Sequence, residues 1–303
     1  MSQVHVVVVG SMNMDLVIST TRLPTKGETL IGKDLHQIPG GKGANQAVAA
    51  SRLGAKVEMI GCVGDDQYGK HLILALQKEN IGTDHISILP NGTTGIALIT
   101  VNQQGENTIV ISQGANQRLT PTMIQKAEPI IRNAQVLLVQ LEIPLETVIE
   151  SINLAKKHMI PVILNPAPAR KLPDDLLKQI DYLTPNETEG QLLVGTNVST
   201  PEEVIPLLTE KGIKHVVITL GEKGVMYHSS NQLVHLHGYK VDAVDTTAAG
   251  DAFNAALGVS IAEKKSLKEA IDFAQKVAAI SVTKYGAQPS LPYRGDIEEY
   301  PFE

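Results

Sequence analysis

Asp251 closes the stretch Asp245-Thr246-Thr247-Ala248-Ala249-Gly250-Asp251, in which small residues lead into an apolar run, 252–263, that reads as a helix. Backbone N–H groups at a helix start lack an intrahelical acceptor, and side chains no larger than a methyl let phosphate oxygens reach them. A carboxylate in that first turn stands where an incoming hydroxyl can meet the terminal phosphate of a nucleotide, a layout for phosphoryl transfer to an alcohol. With an ordinary pKa of about 3.9, Asp251 is expected to be ionised at neutral pH. The same residues also fit a plainer reading, an Asp that favours the helix dipole, so the weight falls on the other clusters.

The second cluster is Pro39-Gly40-Gly41-Lys42-Gly43-Ala44-Asn45-Gln46, running into a helix that stops at Gly54. Glycines around a lysine give a loop that passes close to a ligand and exposes its amides, and Asn45 offers a polyol both a donor and an acceptor. This is no dinucleotide fingerprint, since Gln46 stands where the third glycine belongs. The one Gly-x-x-x-x-Gly-Lys spacing, Gly27 to Lys33, is followed by Asp34 instead of Ser or Thr. Third, Asn13 and Asp15 follow the first strand's end, where open parallel sheets bind ligands; an Asx turn is the alternative. Glu142, in Gln140-Leu141-Glu142 after another buried strand, is either a hydroxyl acceptor or a lysine partner. Fourth, Asn186 and Glu189 in Thr184-Pro185-Asn186-Glu187-Thr188-Glu189 read as a capping box, or as a pair orienting phosphate and hydrated magnesium. Fifth, Thr219-Leu220-Gly221-Glu222-Lys223-Gly224 is a hairpin turn, or a backbone contact for nucleotide phosphate and base.

These residues must be held by a large scaffold. The chain has 303 residues, 43% hydrophobic and 19% charged, enough for a sizeable core in one α/β domain spanning 1–303. Short β-branched runs at 4–9, 57–62, 136–140, 161–164, 182–184 and 215–219 alternate with helical periods at 43–53, 66–79, 121–132, 145–158, 186–193 and 201–211. Two more helices follow at 251–263 and 267–284. This alternation predicts an α/β fold: a mostly parallel central sheet with helices on both faces. Segments 14–38 and 91–112 instead carry alternating strands, at 16–18, 29–31, 96–101 and 108–111, and predict a small antiparallel β lid.

A net charge of −6 without basic runs argues against nucleic-acid or membrane-surface binding, so an anionic ligand needs a local cradle. Cys62 is the only cysteine, which excludes an internal disulfide and thiolate zinc clusters, and without a basic-then-apolar leader a cytoplasmic protein is expected. The glycosylation triplets at Asn91, Asn186 and Asn197 are then chance matches. Ser281-Val282-Thr283-Lys284 lacks the companion motifs of an acylating Ser-x-x-Lys, and His235 with His237 lacks a third metal ligand nearby.

Taken together, Gly10-Ser11-Met12-Asn13-Met14-Asp15, Gly40-Gly41-Lys42-Gly43-Ala44-Asn45, Asn186-Glu187-Thr188-Glu189, Asp245 to Asp251 and Gly286-Ala287-Gln288-Pro289-Ser290 make the chain resemble the ribokinases of the PfkB family of carbohydrate kinases, nearly end to end. The family at large usually has Gly at the position of Ala248; the ribokinases share the Ala-Ala-Gly-Asp found here. The resemblance implies ATP-dependent phosphorylation of D-ribose at its primary 5-hydroxyl. It makes Asp251 the base, with Ala248, Ala249 and Gly250 forming the anion hole. It assigns the sugar to Asn13, Asp15, Gly41, Lys42, Gly43, Asn45 and Glu142, and the nucleotide to Asn186, Glu189, Thr219, Leu220, Gly221, Glu222, Lys223, Gly224, Gly250 and Gln275. It further implies Mg²⁺ with the ATP, and a monovalent cation, K⁺, at Asp245, Thr247, Ser281, Lys284, Gly286 and Ser290, mostly through backbone oxygens.

Other acceptors in such a family are deoxyribose, fructose and nucleosides. A nucleoside base usually stacks on aromatic rings, and the three Phe and seven Tyr, with no Trp, do not cluster near Asn13 or Gly41, which favours a small hydroxyl-rich sugar. A noncatalytic sugar or nucleotide sensor on the same fold is the other alternative; a degenerate kinase is expected to lose Asp251 or Gly250, and both are present. The lid is expected to exclude water and, through its exposed edges, to pair two copies into a homodimer.

Overall fold

The computed structural model describes residues 3–195, 198–229 and 232–302; the Asn197 triplet lies outside them. The strands in chain order are β1 (His5–Val9), β2 (Asn13–Ser19), β3 (Leu35–Gly40), β4 (Lys56–Gly64), β5 (Gly82–Leu89), β6 (Gly95–Val101), β7 (Asn107–Ser112), β8 (Val136–Val139), β9 (Val162–Leu164), β10 (Tyr182–Leu183), β11 (His215–Thr219), β12 (Val225–Ser229) and β13 (Gln232–Leu236). Nine of them form one sheet in the order β13-β12-β11-β10-β9-β8-β1-β4-β5. Every pairing from β11 to β5 is parallel, while β12 and β13 add an antiparallel edge.

The all-valine interior of β1 explains why both faces are covered. Val6 and Val8 point into one apolar cluster, with the helices Lys42–Arg52, Ala249–Ala262 and Leu267–Ser281; Val7 and Val9 point into the other, with Leu145–Lys157 and Pro201–Glu210. All four are fully buried, as expected of a strand with helices on each side. Chain direction across the sheet reverses between β1 and β8, since β4 and β5 extend one way and β9 to β11 the other. Ligands bind beyond the carboxyl ends of strands at such a switch point.

β3, β2, β6 and β7 form a separate four-stranded sheet. Its outer pairings, β2–β3 and β6–β7, are antiparallel as expected, and the central β2–β6 pairing is parallel. The strand expected at 29–31 is not formed: Ile31 is 96% exposed, and the partner of β2 is Leu35–Gly40, whose Pro39 and Gly40 hide it from a propensity reading. β5 was also not anticipated, because an edge strand carrying Thr83, Asp84, His85 and Ser87 buries little. The helix expected over 121–132 breaks at Ala127 into Pro121–Lys126 and Glu128–Arg132. Among the described residues no helix is long and apolar enough to cross a membrane.

Candidate active site

The helix Ala249–Ala262 has eleven of its fourteen residues buried, as a helix apolar on all sides must. Gly258 lets it press onto β8, where a Cβ would lie 2.8 Å from Leu138 Cδ2. Ala248 precedes it in the left-handed conformation, φ 63°, and provides no side-chain cap. Ala249 N–H bonds weakly to Thr246 O at 3.3 Å, and the amides of Gly250 and Asp251 have no acceptor among the described residues. A Cβ on Gly250 would meet nothing within 4 Å, so its surface is open to a ligand.

Helix Lys42–Arg52 packs on Ala249–Ala262 through Ala44, Ala47, Ala252, Ala255 and Ala256, all buried. Small residues on both sides bring the two backbones close. Its start is fixed by Gly41, with φ 91° and a Cβ position 2.7 Å from Asn13 N, where no other residue fits. Gly43 is equally constrained, against Gly10 and Ser11 at 2.7 Å. The first turns of the two helices thereby face each other. Asn45 Nδ2 donates to Asp251 Oδ2 at 2.9 Å, and Gln46 Nε2 to Asp251 Oδ1 at 3.1 Å.

Asp251 is only 5% exposed. Burial pushes its pKa up, opposed by the Lys42 ammonium and the Asn45 and Gln46 amides and reinforced by Glu142; the ordinary carboxylate pKa expected from sequence is therefore corrected. For Lys42, burial works to lower the pKa but is outweighed by Asp251, Glu142 and Glu189, so the ammonium is held protonated. Asp15 is pushed up to about 7, first by burial and then by Glu142 and Asp251. Glu142 accepts from Ser11 Oγ and from the backbone N–H of Lys42 at 3.2 Å. Its partner is thus the lysine's amide, and no ion pair with a lysine side chain is formed among the described residues. Asn13 Oδ1 accepts from Asn116 Nδ2 at 2.8 Å, and no bond from its own Nδ2 is formed among the described residues.

Two adjoining clefts meet at Lys42 and Glu189, which line both. One, of about 230 Å³, runs along Thr184, Asn186, Thr219 and the 248–251 turn. The other, of about 440 Å³, is walled by Asn13, Asn116, Glu142 and, from the smaller sheet, Ile111. Asn186 and Glu189 form the expected capping box, at 2.8 and 2.9 Å, and still border the clefts. Thr219 pairs with Asn186 through an isolated bridge. Gly221–Lys223 is a single helical turn between the buried Leu220 and Gly224, and of 219–224 only Thr219 lines the first cleft. Gln275 borders neither cleft; it is 7% exposed on Leu267–Ser281, with Oε1 unpartnered among the described residues.

Beyond Ala248, Val244 and Asp245 amides donate to Val282 O at 2.7 and 3.1 Å, and Asp245 Oδ2 accepts from Gly286 N at 2.8 Å. Asp245 Oδ1 accepts from Thr247 N and Oγ1. Burial would raise the Asp245 pKa, and these bonds from Thr247 and Gly286 overcome it, so the carboxylate stays ionised. Ser281 and Ser290 are fully buried, each hydroxyl donating to a carbonyl three residues back. Lys284 N reaches Ser281 O at 3.4 Å. The 245–247 and 281–290 segments are therefore stitched side by side, with one carboxylate among hydroxyl and carbonyl oxygens. No group of three His, Cys, Asp or Glu able to cage a metal occurs among the described residues. His235 and His237 rings stand 4.5 Å apart on the β13 side of the sheet.

Several polar residues at the site escape a motif reading: Ser11, Asn116, Gln140, Asn165, Thr184 and Asn254, all buried. Gln140, Asn165 and Thr184 share a signal, a polar residue directly after the last apolar residue of a buried parallel strand.

A helix start with open amides, a carboxylate in its first turn and a second polar cleft alongside is the arrangement of a phosphotransferase acting on an alcohol. The model of the pfkB family carbohydrate kinases matches residues 3–294, and the chain belongs to this family. It is 46% identical over 296 residues to a ribokinase of Haemophilus influenzae, covering 97% of each chain. Among solved structures it superposes on the ribokinase of Thermotoga maritima with TM-score 0.90 at 38% identity, covering 97% of this chain and 98% of that one. It superposes on Arabidopsis thaliana ribokinase complexed with ribose and ATP with TM-score 0.91 at 34% identity, covering 99% and 100%.

Proposed function

We propose that the chain phosphorylates D-ribose at its 5-hydroxyl with ATP, giving ribose 5-phosphate. The observation that carries this reading is that the cleft lined by Gly250 and Asp251 adjoins, at Lys42, the one walled by Asn13 and Glu142. Ribose occupies the cleft walled by Asn13 and Glu142, and the nucleotide the one along Asn186 and Thr219. Asn45 supports the sugar assignment: its Nδ2 is given to Asp251, and its buried Oδ1 has no donor among the described residues. An unmet acceptor at that point is suited to a sugar hydroxyl. Asp15, Gly41 and Gly43 complete the sugar side. Gln275 Oε1, unmatched in the same way, suits an amino group of the base, and the 219–224 turn is proposed to meet the nucleotide too.

In the transfer step the 5-hydroxyl gives its proton to Asp251 as its oxygen bonds to the γ-phosphorus, and the bond from that phosphorus to the ADP oxygen breaks. A raised Asp251 pKa makes it a better acceptor, and the Lys42 ammonium favours its ionised form. The open amides of Gly250 and Asp251 neutralise charge on the transferred group, and positioning does most of the rest. Mg²⁺ accompanies the ATP and supplies further charge neutralisation; Glu189 and Asn186, polar and at the cleft edge, fit an outer contact through water. Asp245 with its surrounding oxygens fits a monovalent cation such as K⁺, because one carboxylate among carbonyls is a low-charge, hard-donor set. Asp245, Thr247, Ser281, Lys284, Gly286 and Ser290 would hold it, and its positive charge would steady the anion-binding turn.

The chain works as one domain, with the segments around 14–38 and 91–112 closing over ribose to keep water from the phosphate. The outer face of that sheet exposes Leu35 (55%), Leu98 (54%) and Val110 (66%), and this apolar surface supports a homodimer through the lids. A panel of free sugars assayed with MgATP, with and without K⁺, tests the reading: ribose is expected to turn over best, and no phosphorylation of any sugar would overturn it.

A further inference from the structure

Asp251 is tied back to its own helix start by a closed circuit of buried neutral side chains. Gln46 Nε2 lies 3.1 Å from Asp251 Oδ1 and 3.4 Å from Asn165 Oδ1. Asn165 Nδ2 donates to Thr184 O at 3.3 Å, Thr184 Oγ1 to Asn254 Oδ1 at 2.5 Å, and Asn254 Nδ2 to Gly250 O at 2.8 Å. On the other side Gln140 Nε2 donates to Gln46 Oε1 at 2.6 Å, fixing the amide so that its N–H₂ end faces Asp251. The circuit joins five elements, helix Lys42–Arg52, the ends of β8, β9 and β10, and Ala249–Ala262, and Gln46 is its one contact with the carboxylate oxygen Oδ1. Gln46 and Gln140 are 1% and 0% exposed, so water does not substitute for these bonds.

We infer that Gln46, oriented by Gln140, is a positioning residue for the transfer reaction: it holds Asp251 Oδ1 as an acceptor at a fixed place relative to the open amide of Gly250. Asn45 and the sugar share the other oxygen, Oδ2. The inference rests on the kinase reading above. Gln46 itself touches no substrate, and its effect is on the direction and the proton affinity of the carboxylate. The charged groups facing Asp251 are Lys42 from the same helix as Gln46, Glu142 after β8 and Asp15 on β2; of these only Lys42 favours the ionised form. Removing a neutral donor to a buried carboxylate therefore leaves it more readily protonated.

The test is the single-turnover rate of ribose phosphorylation at saturating sugar and MgATP, followed against pH in Gln46→Met, Gln46→Glu and Gln140→Met. Gln46→Met keeps the volume and removes the donor; Gln46→Glu sets a second carboxyl against the first. A lost hydrogen bond to a charged group corresponds to an acid limb shifted upward by about one to two pH units. Both Gln46 variants are expected to show it, with the rate near neutrality down at least about tenfold and the KM for ATP within about twofold of the parent. Gln140→Met is expected to shift the limb in the same direction by less, and carries the test if the Gln46 variants fail to fold. A packing role alone would lower Tm in all three and leave the acid limb where the parent has it, and that result overturns the inference. Failure of the parent itself to phosphorylate ribose would instead overturn the kinase reading.

Discussion

Asp15 gives the site a pH dependence that reverses when sugar binds. Its carboxyl packs on Gly40, where a Cβ would lie 2.2 Å from Oδ2, and burial followed by the charges of Glu142 and Asp251 raises its pKa from 3.8 to about 7. In the proposed sugar complex it would act as an acceptor, hence ionised. About a tenth of the free protein carries it ionised at about pH 6 and about nine-tenths at about pH 8, so ribose affinity is expected to rise about tenfold between them. A hydroxyl donated to the carboxylate favours its charged form, so sugar binding near pH 7 releases a fraction of a proton. Without sugar the sign is opposite. The folded-state pKa exceeds the unfolded one, so this group's stabilising contribution is complete below about 4 and is lost as pH rises through about 7. Isothermal titration of ribose in buffers of differing ionisation enthalpy measures both affinity and proton release, and thermal unfolding without ligand measures the second effect. Asp15→Asn should bind ribose weakly and flatten the affinity profile. An affinity that stays level in the parent from about pH 5.5 to 8.5, or the same slope in Asp15→Asn, would refute the assignment.

Asp251→Asn is expected to lower turnover at least about 10²-fold, about 2.7 kcal/mol of barrier, while ATP affinity by equilibrium titration is nearly unchanged. Because the new amide opposes an N–H of Asn45 or Gln46, Tm should fall as well, by the equivalent of about 1–3 kcal/mol. Gly250→Ala adds a Cβ into open space, so thermal stability should hold, while crowding of the phosphate lowers kcat/KM for ATP by about 10–10²-fold. Asp245→Asn removes the one carboxylate between the 245–247 and 281–290 segments, and the K⁺ concentration for half-maximal rate should rise at least about tenfold.

The alternating apolar runs carried most of the main sheet into view, because a strand buried on both faces has no room for polar residues: β1 has four valines in succession at 0% exposure. The same physics hid what is exposed or very short. β3 has polar and turn-forming residues, β5 lies at an edge, and β10 pairs through two residues only. At the site, Asp251 and the Gly41–Gln46 turn were legible because glycine-rich loops and first-turn acids are local features. The Gln46–Asn165–Thr184–Asn254 circuit was not, since its members lie up to about two hundred positions apart and each looks like an ordinary polar residue. The capping box at Asn186 and Glu189 was read correctly as local structure, and only the three-dimensional fold sets it at the border of the clefts.

The balance of charge in the larger cleft bears on how the enzyme lets go. Asp251, Glu142 and Glu189 act on the buried Lys42 ammonium, and Asp15 faces Glu142 and Asp251, so carboxylates outnumber the cation around it. A neutral polyol enters such a space without penalty, whereas the same molecule carrying a dianionic ester is repelled at several contacts at once. With ribose placed as proposed, transfer of the phosphoryl group would convert a welcome guest into an unwelcome one, and the same carboxylates would favour discharge of the product.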